Sequence, residues 1–170
     1  MKRRKLIYMS TLDECYASGV LVKMGGNLRA KQIAMRLLLC STAVRDKMTQ
    51  ELPGMKSDDV IPNSARPLAQ AADLMNRFVS GGDFLPPKPH GMSPVGNGVW
   101  RLRTADLRFD GWFPETNFFV IGAFDSKANC VANRTRDDEM YEEVIDLRRS
   151  TNLLGGKFEQ AGDYRDLIRL

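Results

Sequence analysis

Apolar and polar positions change their period twice along this chain. Over residues 27–52, NLRAKQIAMRLLLCSTAVRDKMTQEL, Ile33, Leu37, Val44 and Met48 fall at helical spacing, with Arg29, Lys31, Arg45 and Lys47 mostly elsewhere. That pattern predicts one long helix, ended by Pro53-Gly54. Ahead of it, KLIYMS (5–10) suits a short opening strand. Beyond a polar connector at 56–64, Pro67 stands where a first helical turn tolerates proline. Leu68, Ala72, Met75 and Val79 then form one stripe of a second helix, stopped by Gly81-Gly82.

Residues 81–98 hold four of the eight prolines, which excludes helix or central strand and predicts an exposed loop. The period then becomes two. In VWRLRT, Trp100, Leu102 and Thr104 share one face, and Arg101 and Arg103 the other. In LRFDGWF, Leu107, Phe109 and Phe113 oppose Arg108, Asp110 and Trp112. FFVIGAF (118–124) is apolar on both faces, as a central buried strand should be. TADL and PETN are short turns, so the three strands pair antiparallel. After the polar segment DSKANCVANRTR, a third helix begins near Asp137, with Met140, Val144 and Leu147 as its stripe and Arg148 and Arg149 near its end.

Tight turns between consecutive strands, flanked by helices, predict an α+β fold. The expected form is a small antiparallel sheet of three to four strands, with two N-terminal helices and a C-terminal helix packed on it. The chain divides accordingly into an N-terminal extension (1–62), a core (63–150) and a C-terminal tail (151–170).

With 170 residues, 43% hydrophobic and 27% charged, the chain is globular in type and long enough to bury its own core. Its net charge of +4 is compatible with a nucleic-acid partner without establishing one. Cys15, Cys40 and Cys130 form no CxxC pair, and with one histidine they suggest free thiols in a reducing compartment and no metal or cofactor. Asp13 and Glu14 interrupt the apolar run behind the basic N-terminus, so a signal peptide is not expected and the protein reads as cytoplasmic. GGN and LLGGK miss the phosphate-loop spacing, and neither GxSxG nor HExxH occurs.

What remains is a set of cations on or near one sheet: Arg101, Arg103 and Arg108 on neighbouring strands, Lys127, Arg134 and Arg136 beyond the last strand, Lys88 and His90 in the proline loop. Arginines on the outer face of a strand are ordinary. The same arginines also suit phosphate, because a guanidinium stays charged and its fork matches two phosphate oxygens. An RNA phosphodiester can be cut by its own 2′-hydroxyl, with a protein supplying charge stabilisation and an acid or base.

The run from Asp73 to Phe113, above all VWRLRTADLRFDGWF, resembles the RelE/HigB-like toxins of bacterial toxin–antitoxin pairs, and FFVIGAFDSK and RTRDDEMYEEVIDLRRS are similar to the strand and closing helix that follow. The resemblance covers roughly residues 66–150. It implies an mRNA endoribonuclease that inhibits translation at the ribosome and is held in check by a cognate antitoxin, expected to be a helix-turn-helix protein. Arg108 matches the strand arginine at the scissile phosphate, Lys127 and Arg134 or Arg136 the basic positions before the last helix, and Tyr141 the helix tyrosine. The implied catalytic set is therefore Arg108, Lys127, Arg136 and Tyr141. Arg101, Arg103, Arg134, Lys88 and His90 are the implied RNA contacts. Asp110 and Asp106 depart from the pattern and are expected to weaken the potential beside Arg108. The ParE relatives share the fold without the nuclease residues, which leaves a protein-binding module as the alternative.

Overall fold

The computed structural model describes residues 11–25, 28–57, 65–84 and 91–169. Among them, six strands form one mixed sheet with helices on both faces, an α+β architecture. In chain order these are α1 (Leu12–Ala17), β1 (Leu21–Lys23), β2 (Leu37–Ser41), α2 (Thr42–Glu51), α3 (Pro67–Val79), β3 (Gly91–Gly96), β4 (Val99–Arg103), β5 (Leu107–Glu115), β6 (Phe118–Ser126), α4 (Lys127–Ala132) and α5 (Arg136–Thr151). The sheet order is β1-β2-β6-β5-β4-β3. Only the β2–β6 pair is parallel.

The antiparallel run β3 to β6 forms the larger part of the sheet, and β6 is central and almost wholly buried, as its two-sided apolar pattern requires. Three expectations need correction. The helix expected over 27–52 starts only at Thr42, because Leu37–Ser41 is a strand that sends Leu38 and Cys40 into one core and Leu39 into the other. A short apolar run fits either a buried strand or a helix by periodicity alone, and pairing with β6 decides for the strand. The sheet consequently has six strands, not three to four. The proline loop ends in an edge strand, β3, where Pro94 needs no ladder donor and a bulge follows it. The strand expected at 5–10 lies outside the described residues.

One core lies between the sheet and α2 with α3. Phe78, Phe113 and Phe119 meet there with centroids 4.7–6.3 Å apart, and Phe109 stacks on Phe124 at 5.2 Å. The opposite core lies beneath α1 and α5, where Met140 and Val144 cover Val99, Trp112, Val120 and Ala123. Gly122 permits that approach, since a Cβ there would come within 3.2 Å of the Val144 backbone. The tail links the two layers. Leu153 packs under α5, Phe158 lies beneath Arg148 at 4.0 Å, and Leu167 and Ile168 end in the aromatic core. Backbone bonds fix its course, from Glu159 N to Phe113 O at 2.8 Å and from Asn117 N to Leu167 O at 2.8 Å.

Arg36 is buried at the carbonyl end of α3, where it donates to Gly82 O at 2.7 Å, Gly81 O at 3.2 Å and Phe78 O at 3.4 Å. A cation there complements the negative end of the helix. Among the described residues no helix is long and apolar enough to cross a membrane.

Candidate nucleic-acid interface

Strand register arranges the charged side chains of the α5 face in two rows. In the inner row Ser93, Arg101, Asp110 and Ala123 are successive cross-strand partners; in the outer row Gly91, Arg103, Arg108 and Asp125 are. The rows lie two residues apart along each strand, so both face α5.

The inner row is closed. Arg101 donates Nε to Asp110 Oδ1 at 2.6 Å and Nη2 to Asp110 Oδ2 at 2.7 Å, while Nη1 meets Asp137 Oδ1 at 2.9 Å. Asp110 is fully buried, and the two-pronged bond from it holds Arg101 firmly in its charged form. Asp110 is thus bound to Arg101, and the charge of Arg108 acts on it more weakly. Asp106 has partners of its own in Gln70 and the Lys127 backbone. It is buried in the β4–β5 turn and accepts from Gln70 Nε2 at 2.6 Å, while Thr104 Oγ1 donates to the same glutamine.

Asp125 ends the outer row and is satisfied by its own group of donors: Arg136 Nε at 2.6 Å, Lys47 Nζ at 3.2 Å, Asn129 Nδ2 at 3.1 Å and the Ser126 N–H at 2.8 Å. Burial pushes its carboxyl up, but these bonds outweigh burial and leave it below the usual carboxylate value. Arg136 is 9% exposed and also meets Glu143 at 2.6 Å and Glu139 at 3.3 Å, so three carboxylates surround it.

Arg103 and Arg108 are the exceptions. They stand directly across from each other, and neither makes a salt bridge among the described residues. Arg108 is half-buried, with Nη1 donating to Thr104 O at 2.9 Å and Leu107 O at 2.8 Å. Burial, and then the charges of Arg101 and Arg103, lower its affinity for the proton, which an arginine retains at neutral pH all the same. Like charges face to face destabilise a sheet. Asp125, across from Arg108 on β6, is taken up by other donors, so no carboxylate among the described residues engages either cation.

The remaining cations fall into distinct positions. Lys127 opens α4 with its N–H bonded to Asp106 O at 2.7 Å, and Arg134 is exposed in the α4–α5 connection; neither makes a salt bridge among the described residues. Tyr141 lies away from Arg108. Its hydroxyl accepts from Asn97 Nδ2 at 2.5 Å, in the turn at the opposite end of β4, roughly 15–20 Å along the strand from the outer row. The structure thus gathers Arg101, Arg103 and Arg108, commits Arg136 to carboxylates and holds Tyr141 apart. Lys88 and His90 lie outside the described residues. Cys130 is half-buried on α4, with Sγ 3.8 Å from Met140 Sδ, and burial followed by the charge of Asp137 pushes its thiol up to about 11. Comparison of the chain with protein-family models, with curated proteins and with solved structures finds no match in any of the three.

Proposed function

We propose that this protein is an RNA-directed inhibitor of translation of the RelE/HigB type, which engages messenger RNA through the phosphates at Arg103 and Arg108. The observation that supports it is the cross-strand arginine pair, which makes no salt bridge among the described residues, on a face where Arg101 and Arg136 are each matched by carboxylates. Phosphates on these two arginines would add charge-assisted bonds to cations that no carboxylate among the described residues engages. Cleavage then follows from attack of the 2′-oxygen on the adjacent phosphorus. The 2′-proton passes to solvent water, the 5′-oxygen takes up a proton from water as its bond to phosphorus breaks, and a cyclic phosphate remains. Arg108 stabilises the added charge on the phosphorane, while Arg101 and Arg136 hold the sheet and α5 in place.

Inducing the wild-type chain is expected to arrest growth and fragment messenger RNA, with Arg108→Ala relieving both and Tyr141→Phe relieving neither. Full toxicity in Arg108→Ala would remove this site. A second reading, an RNA- or protein-binding module without cleavage, is favoured by the placement of Tyr141 and by the engagement of Arg136 with acids. Growth arrest with intact messenger RNA would select it.

A further inference from the structure

Gly91 is the register partner of Arg103, and its backbone is not in the left-handed region that requires glycine. The absence of a side chain there has a different use. A Cβ on Gly91 would lie 2.5 Å from Arg103 Nε and 3.2 Å from its Nη2. The Arg103 guanidinium therefore lies across β3, in the space that a Cβ would fill, on the side away from Arg108. Arg108 is turned the other way, bound to the carbonyls at the end of the β4–β5 hairpin. The two guanidinium groups are thus separated by between one and two strand spacings, roughly 5–10 Å. That separation suits consecutive phosphates on one strand better than two oxygens of a single phosphate.

We infer that Gly91 is a positioning residue, the seat that holds Arg103 at the second of two phosphate positions, so that single-stranded RNA crosses the outer row from β3 to β5 with one phosphate on each arginine. This rests on the RNA-directed reading above. The atoms that an added Cβ meets belong to a flexible, exposed side chain, so substitution should displace Arg103 without straining the fold.

The test is the salt dependence of binding of a short labelled single-stranded RNA to the full chain, with urea midpoints measured in parallel. Arg103→Ala and Arg108→Ala should each weaken binding several-fold and reduce the log–log salt slope by about 0.7, the share of one phosphate contact on a single strand. Gly91→Ala and Gly91→Ser should reproduce the Arg103→Ala loss at an unchanged urea midpoint, and adding Gly91→Ala to Arg103→Ala should change nothing further. Wild-type affinity and slope in both Gly91 variants, with Arg103→Ala impaired, would overturn the seat and leave the RNA reading standing. A lowered midpoint in both Gly91 variants would also overturn it, making the glycine a requirement of the fold. No salt-dependent RNA binding by the wild-type chain would instead remove the RNA reading itself.

Discussion

Arg101 and Arg108 face the same helix from neighbouring strands, one row apart, yet they do opposite things. Arg101 has a buried carboxylate directly across the strand and becomes part of the framework. Arg108 has a second arginine across from it on β4 and, on β6, an Asp125 already bound to other donors, and it makes no salt bridge among the described residues. The difference lies in whether the acid opposite each arginine is free to bind it: Asp110 binds Arg101, whereas Asp125 is taken by Arg136 and Lys47. A cation with its acid beside it supports a fold, and a cation facing another cation is open to a ligand.

The sharpest way to break the contrast is Asp110→Ala. It leaves Arg101 nearly buried with only the exposed Asp137 for company and should cost about 3–5 kcal/mol in urea unfolding. A loss below about 1 kcal/mol would put the inner row on a par with the outer.

How much of this was legible in the sequence varies by element. Strand parity placed Arg101, Arg103 and Arg108 on one face, and the stripe of α5 placed that helix close to where it lies. α3 also forms, but Leu68 and Ala72 of its expected stripe are exposed, and Ala71, Leu74 and Phe78 are buried beside Met75 and Val79. The partner of Asp110 was not legible, because it depends on the β4–β5 register, and along the chain Asp110 lies far nearer to Arg108 than to Arg101. β2 was hidden because LLLCS, buried on both faces, has no period to separate strand from helix. α4 was missed for the converse reason: none of its residues is buried, so it has no apolar stripe to read. Tyr141 lies at the far end of β4 from Arg108 because of the direction of α5 along the sheet, which no local pattern encodes.

A smaller effect sharpens the comparison through pH. The carboxyl of Asp125 is held below its ordinary value, so between that value and its lowered one the unfolded chain binds the extra proton. The stabilisation it gives is complete above about pH 4 and is lost as pH falls through the lowered value. Asp125→Asn should therefore show a lower plateau and a flatter acid limb in denaturant midpoints measured from pH 6 downward. An acid limb as steep as that of the wild type would assign the acid loss to other carboxylates.

The smallest expected change is in the stability of Arg108→Ala. With no salt bridge among the described residues to lose, a like charge removed and two bonds to carbonyls given up, its unfolding free energy in urea should change by no more than about 1 kcal/mol in either direction. A loss as large as that of Asp110→Ala would make Arg108 a structural residue and dissolve the distinction between the rows.

The path of the tail gives the fold an order in time. β6 must find β2 some eighty residues back along the chain, and both cores still lack side chains until Leu153, Leu167 and Ile168 arrive. During synthesis the sheet with its arginine pair can be laid down before its ends are closed. Whatever this surface does, it does in finished form only after almost the whole described chain has been made.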